Sequence, residues 1–416
     1  MNNSNSLSIV EGWQIPFKLY DSPHQFEPLL PSEVAQQDLL VQAHDLAREA
    51  LQLSTTPVPT GLHGLLRGMN SYYSNRIEDQ HTRPQEIEQA LRRDFSSNHG
   101  LAARQRLAVA HIEAEQALEQ RYQGGVGAAA LYRPDAIVDL HRALFGRVPG
   151  ADLLAGDGAP AFVPGILRQS EVSVGQHIAP TFAAVPALLQ RWGEVYGGTR
   201  RGEAALLAVA ASHHRLGWIH PFVDGNGRVM RLHTHTLLWA MGYTGGLWSP
   251  LRGFARASDR YFALLAAADQ PRRGDLDGRG NLSEQALVDW IDFVLMVCRD
   301  QVAFMGSLLR LPEIEHRIAA CLSFEEHTQR SGVRLAALRP LHYLFVTDKA
   351  VERGEFKAML GLGERTAGTV LKALLDRRLL NTESAQGRVR FGLPLHALRF
   401  YFPALWPEAE ADVAQG

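Results

Sequence analysis

Cysteine is scarce in this sequence, and neither sign of charge dominates it. The 416 residues include two cysteines, Cys298 and Cys321, each in an apolar stretch with helical spacing. Because secreted proteins stapled by disulfides are rich in cysteine, we expect two buried, inert thiols in a reducing compartment. The formal net charge of −2 gives no reason, taken alone, to expect a polyanionic partner.

Long apolar runs and targeting signals are also lacking. No stretch reaches the ~18 uninterrupted apolar residues of a membrane span. The start, Met-Asn-Asn-Ser-Asn-Ser, has neither the basic nor the apolar region of a signal peptide. We therefore expect a cytoplasmic protein with no membrane partner. Hydrophobic residues make up 46 % and charged residues 21 %, a balance typical of globular rather than disordered chains.

One segment combines residue types that packing alone does not require. From His220 to Arg231 it reads His-Pro-Phe-Val-Asp-Gly-Asn-Gly-Arg-Val-Met-Arg. The glycines on either side of Asn226 leave the backbone free to take a positive φ and to approach a ligand. Apolar residues recur with helical spacing after Gly227, so a helix is expected to begin there. Its unpaired N–H groups, together with Arg228 and Arg231, predict a polyphosphate site.

The same loop offers groups for metal binding and for proton transfer. Asp224 lies where its carboxylate could hold a Mg²⁺ ion bound to those phosphates. His220 is a candidate general base, because an imidazole titrates near neutrality. The alternative is a tight turn between helices, with a hydrogen-bonded histidine and solvated arginines. The complete string favours the ligand site over that turn.

Four histidines flank the loop: His213, His214, His233 and His235. Clustered histidines also occur in metal-dependent phosphohydrolases. However, His233 and His235 are two residues apart on a helix and point to different faces, which is poor geometry for one metal ion. We therefore interpret these histidines as core-edge or surface residues.

The segment matches the signature HPFxDGNGRxxR of the Fic (filamentation induced by cAMP) family at every specified position, so the chain resembles that family. The resemblance implies AMP transfer from ATP to a Ser, Thr or Tyr hydroxyl of a target protein, with release of pyrophosphate. In this chain His220 would take the hydroxyl proton and Asp224 would coordinate Mg²⁺. Transfer of another nucleotide or phosphate-containing group by the same loop is the alternative.

The resemblance also implies how the loop holds the nucleotide. The backbone N–H groups around Gly225 to Gly227 would form an anion hole, and Asn226 would orient the α-phosphate. Arg228 would contact the β-phosphate and Arg231 the γ-phosphate. Tyr261 is expected to stack on or border the adenine, although a core position is the alternative for this residue.

An upstream segment resembles the inhibitory helix (S/T)xxxE(G/N) of many Fic proteins. Ser74 and Glu78 fit that pattern, and their i, i+4 spacing puts both on one face of a helix. The resemblance implies that Glu78 pairs with Arg231 and blocks the γ-phosphate site. Asp79 stands where the family has Gly or Asn, and its carboxylate could weaken or alter this clamp. In some members the same glutamate serves the removal of AMP. The alternative is a solvated helix face.

Residues 148–180 are dominated by glycine, proline, serine and valine, and within them residues 163–177 resemble the family's β-hairpin flap. An exposed strand edge there could pair with an extended segment of the target and hold its hydroxyl near His220. Val172, Ser173 and Val174 are the expected docking edge. The alternative is an ordinary hairpin that covers the core.

The sequence thus predicts a mainly α fold, with a Fic-type helical core, a small β-hairpin flap and a C-terminal winged-helix-like α+β domain. Residues 1–100 form an N-terminal arm and helices with the candidate inhibitory helix, 101–330 the catalytic core and 331–416 the winged-helix-like domain. That domain could contact DNA or form a dimerisation or protein-docking surface, which leaves a DNA-bound regulator, and a homodimer, as alternatives. Its candidate DNA-contacting residues are Arg365, Lys372, Arg377, Arg378, Arg388 and Arg390.

Overall fold

The computed structural model describes residues 20–123, 127–153, 162–175, 177–198, 201–409 and 411, and helices make up most of it. The helices that precede the loop are α1 Gln37–Ser54, α2 Gly61–Ile77, α3 Pro84–Leu91, α4 His99–Arg121, α5 Pro134–Phe145, α6 Val185–Tyr196 and α7 Glu203–Ile219. Those that follow it are α8 Asn226–Ala240, α9 Pro250–Arg256, α10 Ser258–Ala268, α11 Glu284–Leu308 and α12 Leu311–His327. The C-terminal helices are α13 Leu338–Thr347, α14 Arg353–Met359, α15 Glu364–Asp376 and α16 Leu398–Tyr401.

Two small antiparallel sheets complete the described fold. Strand β1 (Ser173–Val174) pairs with β2 (His177–Ile178), and β3 (Leu380–Thr382) pairs with β4 (Val389–Phe391). The prediction of a mainly helical chain with a short hairpin is confirmed. In the described residues, no helix is both long enough and apolar enough to cross a membrane.

Helices α7 and α8 form the centre of the molecule. Nearly all of α7 is buried, and α7 packs against α1, α6, α8 and α11. A helix that is apolar on all sides has this central position because every face must be covered. Buried residues also extend along most of α8, although many of these are polar. The loop that joins the two helices is therefore held between rigid elements.

The candidate inhibitory helix is part of the same core. Helix α2 packs against α4, α8 and α9, so its C-terminal end lies beside the loop. The C-terminal residues also reach α2: the ring of Trp406 lies 5.7 Å from that of Tyr72, and the Tyr73 hydroxyl donates to Glu408 at 2.8 Å. Apolar residues from all three sequence segments belong to one hydrophobic cluster.

The C-terminal region contains three helices and a hairpin. Helices α13, α14 and α15 are followed by the hairpin of β3 and β4, and Val351 pairs with Val389 at its side. Helix α10 begins at Ser258. The preceding residues form α9, whose first turn is capped by the Ser249 hydroxyl.

Candidate active site

The loop between α7 and α8 turns sharply at two residues with positive φ. His220 ends α7 with φ 50 and donates its backbone N–H to the Leu216 carbonyl at 3.2 Å. Gly225 precedes α8 with φ 79, and a Cβ there would lie 2.4 Å from the Phe145 ring. Only glycine fits this position, because both the backbone angle and the neighbouring ring exclude a side chain. A non-glycine residue in the left-handed region, such as His220, is typical of functional sites.

The Asn226 side chain closes the loop. Its Oδ1 accepts the backbone N–H of Phe222 at 2.9 Å, and its Nδ2 donates to the Phe222 carbonyl at 2.8 Å. The amide is therefore engaged with the loop itself rather than turned toward a phosphate. The first helical hydrogen bond of α8 runs from the Val229 N–H to the Gly225 carbonyl. The earlier N–H groups, including that of Gly227, are the ones that a ligand can approach.

A cavity of about 600 Å³ opens over this loop. Its polar wall contains His220, Asn226, Gly227, Arg231 and Glu78. The apolar lining comes from the flap, α7 and α10; it includes Ile178, Trp218, Phe262 and Leu265. An apolar pocket with a few convergent polar groups is the usual form of a small-molecule site.

Two of the predicted loop residues face a second cavity. Asp224 and Arg228 line a space of about 460 Å³ that also contacts Asp79 and Phe145. The structure therefore divides the predicted site between two neighbouring cavities. Glu78 borders the first cavity and Asp79 the second, so the end of α2 lies between them.

Arg231 binds the end of α2. Its Nη2 donates to Glu78 Oε1 at 2.5 Å and to the Ser74 carbonyl at 3.0 Å, and its Nε donates to the Ser74 hydroxyl at 3.1 Å. Burial opposes ionisation of Glu78, but the guanidinium groups of Arg231 and Arg228 outweigh it and lower the pKa of this carboxyl. Ser74 and Glu78 thus lie on one face of α2 and contact the same guanidinium.

Asp79 adopts φ 56, which is the left-handed conformation in which helices often end. Its N–H donates to the Arg76 carbonyl at 3.1 Å, and the N–H of Gln80 donates to that of Asn75 at 3.0 Å. Glycine and asparagine favour this conformation, and aspartate tolerates it better than most residues. The departure from the pattern (G/N) at this position therefore retains the backbone turn and adds a carboxylate.

His220 is held as a neutral imidazole. Burial lowers its pKa to about 3, and the nearby charges of His177 and Arg168 act in the same direction. A hydrogen bond with the Gly217 backbone and the charge of Glu78 oppose this shift. A neutral imidazole is the form that accepts a proton.

Arg168 is a site residue that the sequence did not reveal. Its side chain is fully buried, and it donates to the backbone carbonyls of His220 at 2.8 Å, of Ser170 at 2.9 Å and of Pro180. Its own backbone N–H donates to the Pro221 carbonyl at 2.9 Å. Arg168 thus ties the flap to the loop between α7 and α8. No local pattern distinguishes it from an exposed arginine.

His141 is a second such residue. The Gly165 N–H donates to its Nδ1 at 2.8 Å, so the proton is on Nε2, which donates to the Asp224 carbonyl at 3.1 Å. The imidazole stacks on Phe222 with ring centres 3.9 Å apart, and burial lowers its pKa to about 4. His141 therefore fixes the backbone of the candidate metal ligand from behind.

The flap lies at the edge of the first cavity. In the register of its hairpin Ser173 faces Ile178, and the Ala179 N–H donates to the Val172 carbonyl at 3.3 Å. Ile178 is exposed and lines the cavity. The Val174 side chain and Gln176 lie outside the described residues. The docking of a target on Val172, Ser173 and Val174 stays a prediction.

Tyr261 is placed in the core rather than beside an adenine. Its side chain has no exposed surface, and its hydroxyl lies 3.0 Å from His213 Nε2 and also binds Arg231. The next residue, Phe262, is 48 % exposed and lines the cavity instead. The rotation of α10 about its axis determines which of the two rings faces the cavity, and the sequence predicts that rotation only approximately.

The histidines around the loop are buried in the core, not at its edge or on the surface. His213, His214, His233 and His235 are all almost inaccessible. The expectation of core-edge or surface positions was wrong, because α7 and α8 are covered on every side.

The basic residues of the C-terminal region are largely paired with carboxylates. The pairs are Lys372–Asp376, Arg377–Glu325, Arg378–Glu88, Arg388–Glu352 and Arg390–Glu383. Pairing reduces the positive field that a phosphate backbone would meet. DNA binding by this region, like dimerisation, stays a prediction.

Comparison with known proteins relates the central segment to one family. The model of the Fic/DOC family matches residues 131–238. Over 108 residues the chain is 37 % identical to "Protein adenylyltransferase Fic" of Drosophila mojavensis, a match that covers 26 % of this chain and 19 % of that protein. The protein of the same name from Drosophila melanogaster is also 37 % identical over 108 residues, with 26 % and 20 % covered. The chain thus spans only 19 % to 20 % of the length of these curated relatives.

A solved structure shares the fold over more of the chain. The crystal structure of a Fic family protein from Desulfovibrio desulfuricans G20 superposes with a TM-score of 0.51 and 18 % identity, and it covers 88 % of this chain and 99 % of that one. At this identity the likeness speaks for the fold alone. The matched segment contains the complete loop signature and the central helices, so residues 131–238 of the chain match a Fic domain.

Proposed function

We propose that this protein transfers AMP from ATP to a serine, threonine or tyrosine hydroxyl of a target protein, and that Glu78 keeps the resting activity low. The observation that carries the proposal is the cavity in which His220, the start of α8 and Arg231 meet. The curated relatives of residues 131–238 are named protein adenylyltransferases, which supports the same chemistry.

His220 is the proposed base. The target hydroxyl attacks the α-phosphorus of ATP, the bond between this phosphorus and the bridging oxygen to the β-phosphate breaks, and pyrophosphate leaves. The hydroxyl proton passes to the imidazole, which is neutral because its pKa is lowered. The negative charge of a bound polyphosphate raises that pKa and so strengthens the base when substrate is present.

The start of α8 is the proposed phosphate site. A Cβ on Gly227 would lie 3.1 Å from Arg231 Nη1, so the absence of a side chain leaves room for phosphate oxygens beside the guanidinium. Helix N-terminal N–H groups and arginines both favour such oxygens. Asp224 offers the hard oxygen ligand that Mg²⁺ prefers, and the bound ion would neutralise phosphate charge. Arg228 lines the same cavity as Asp224, where its guanidinium would meet phosphate oxygens near the bound ion.

Glu78 is the proposed inhibitor. Its carboxylate occupies the guanidinium of Arg231 and lies directly over Gly227, which is the place that a γ-phosphate needs. The Glu78 carboxylate and a γ-phosphate cannot both bind Arg231, because they need the same guanidinium and are both negatively charged. Productive binding of ATP therefore requires that Glu78 leaves Arg231. The main chain turns at Asp79, directly after Glu78, so that Glu78 lies at the end of α2.

The test is AMP transfer by the Glu78→Gly variant. We expect strong incorporation of label from α-labelled ATP into the protein itself or into a lysate protein, and little incorporation by the wild type. Asp79→Gly is the matched control, since it places glycine at the same helix end and leaves Glu78 intact. Adding His220→Ala to Glu78→Gly should abolish the labelling.

The label and the mass of the product distinguish the alternatives. Incorporation from γ-labelled ATP would indicate phosphate transfer and contradict AMP transfer. Parallel incubations with each nucleoside triphosphate would reveal transfer of another nucleotide. Equal labelling by wild type and Glu78→Gly would refute inhibition by Glu78 while leaving the transferase proposal intact. Incubating a labelled target with wild type would show whether Glu78 also promotes the removal of AMP.

A further inference from the structure

A group of buried side chains that could hold a metal ion lies behind the loop. Glu115 and Glu119 are one turn apart on α4, and His235 projects toward them from α8. Their ligand atoms all lie within 4.8 Å of one another, and the three side chains are buried. We refer to Glu115, Glu119 and His235 as the α4–α8 cluster. We propose that this cluster binds a first-row divalent cation of the Zn²⁺ class, in a site separate from the catalytic loop.

The distances suit ligands of one ion better than hydrogen bonds. His235 Nε2 lies 3.4 Å from Oε1 of Glu115 and 3.4 Å from Oε1 of Glu119. Charged N–H···O hydrogen bonds are usually about 2.7–2.9 Å long. Two ligands of a tetrahedral site, each about 2.1 Å from Zn²⁺, are about 3.4 Å apart. His235 Nε2 is thus separated from each carboxylate oxygen as two ligands of such a site are, and the two oxygens lie within 4.8 Å of each other.

Unpartnered polar atoms face the same place. Oε2 of Glu115 has no hydrogen-bond partner, and neither ring nitrogen of His111 has one, although His111 is completely buried. His111 Nε2 lies 3.6 Å from Glu115 Oε2, one turn earlier on α4. A buried imidazole without a partner is costly in a folded protein. His111 is not one of the three ligands that lie within 4.8 Å of one another, but it borders the cluster through Glu115.

The surrounding groups orient the ligands in the way that metal sites require. Asn70 donates to Glu115 Oε1 at 2.8 Å, and Arg67 donates to Glu119 Oε2 at 2.7 Å, which leaves Oε1 of Glu119 toward His235. Nδ1 of His235 lies 3.2 Å from the Ser249 hydroxyl. Outer hydrogen bonds of this kind fix the rotamer and tautomer of a metal ligand.

The charge of the cluster also favours a cation. Among the described residues, Arg67 is the only guanidinium that forms an ion pair with either glutamate. When His235 is neutral, as a metal ligand must be, two buried carboxylates with one guanidinium leave a negative charge that the interior does not solvate; without an ion, a proton on His235, whose pKa both glutamates raise, balances it. A dication compensates this charge. Because the donors are imidazole and carboxylate, with no thiolate, they suit Zn²⁺ rather than Cu⁺, and the imidazoles disfavour Mg²⁺.

The site would join α4 and α8 beside α2, the helix that ends next to Glu78. His235 follows Arg231 by one turn on α8, and Arg67 and Asn70 lie on α2, which also carries Glu78. An ion on these residues would hold α4 and α8 together at the surface on which α2 rests. This role does not depend on the reaction that the loop performs.

The experiment measures Zn²⁺ binding to the full chain after chelator treatment. We expect one equivalent to bind in competition with a chromophoric chelator, and the thermal midpoint to rise with Zn²⁺. His235→Gln and Glu115→Gln should each remove this equivalent. Asp224→Asn and His177→Gln are the matched controls and should retain it, because they test the loop carboxylate and the flap histidine. An unchanged stoichiometry in His235→Gln would overturn the proposal.

A spectrum of the unmodified protein keeps the test independent of variant stability. Co²⁺ bound in place of Zn²⁺ should give the intense visible absorption of a four-coordinate ion, which Zn²⁺ then displaces. Absence of a stoichiometric Co²⁺ complex, or the weak bands of a six-coordinate ion, would overturn the site. Labelling from ATP is measured separately, so failure of the metal site would not alter the proposed AMP transfer.

Discussion

Glu78 Oε1 lies 2.1 Å from the point at which a Cβ atom on Gly227 would stand. The Glu78 carboxylate therefore fills the space that a side chain on the first turn of α8 would occupy. The same space is the proposed phosphate site, so the Glu78 carboxylate and a phosphate would compete for the room that Gly227 leaves. A side chain at Gly227 should therefore break the contact between Glu78 and Arg231 without increasing activity.

Gly227→Ala should break the clamp without activating the enzyme. The new methyl group displaces the Glu78 carboxylate from Arg231, whose side chain is 1 % exposed while that of Glu78 is 33 % exposed. We expect the free energy of unfolding to fall by about 1–2 kcal/mol, less than for a fully buried pair. Labelling from α-labelled ATP should stay low, because the methyl group also covers the phosphate site. Activation equal to that of Glu78→Gly would contradict this location for the phosphates.

Asp79 should act through its backbone conformation rather than through its charge. Its φ of 56 favours Gly and Asn and disfavours β-branched residues. Asp79→Asn and Asp79→Gly are expected to leave the thermal midpoint and the labelling near wild type. Asp79→Val should lower stability by about 1–2 kcal/mol and raise labelling, because the turn that projects Glu78 is strained. Strong activation by Asp79→Asn would show instead that the carboxylate itself repels the nucleotide.

The sequence predicted those parts of the site whose residues are close together in the chain. The spacing of Ser74 and Glu78 was sufficient to put both on one face of α2, and the glycines marked the start of α8. The direction of the Asn226 amide was not predictable, because it depends on how the turn brings the Phe222 backbone next to it. The contacts of Arg168 were not predictable either, because its partners His220 and Pro180 are distant in sequence. The buried position of Tyr261 depends on the exact phase of α10. Periodicity gives that phase only to within about one residue at helix ends.

The α4–α8 cluster illustrates the same limit of local patterns. Judged along one helix, His233 and His235 are poorly placed to share an ion, and that reasoning holds in the structure. The carboxylates that meet His235 come from another helix, more than a hundred residues earlier. Only the packing of α4 against α8 brings them together.

Arg168 should act as a positioning residue for His220. It joins three backbone carbonyls of the flap and loop, and it is not among the residues that line the cavity. In the Glu78→Gly background, Arg168→Gln should lower kcat more than it raises KM for ATP, because the base is misplaced while the phosphate site remains. Arg168→Lys should restore part of kcat, since an ammonium keeps some of these bonds. A variant that changes only KM, or that Arg168→Lys does not rescue, would argue for a purely structural role.

The lowered pKa of His220 should make stability fall in mild acid. An unfolded histidine titrates near 6.5, whereas in the folded protein burial lowers the pKa of His220 to about 3. Below pH 6.5 the unfolded chain therefore binds a proton that the folded chain does not, and stability declines as pH falls. Above pH 7 this residue contributes no pH dependence, because both states are neutral.

The comparison of wild type with His220→Asn isolates this effect from the other histidines. Burial also lowers the pKa of His141 and His233, each to about 4, whereas Asp269 raises the pKa of His177, so the total pH dependence mixes both signs. Between pH 7 and pH 5, wild type should lose about 2 kcal/mol more stability than His220→Asn, at about 1.4 kcal/mol per pH unit below 6.5. Urea unfolding at pH 5, 6 and 7 measures this difference. Equal losses in the two proteins would mean that the folded His220 titrates at an ordinary pKa, and the loop would then hold a partly charged imidazole at neutral pH.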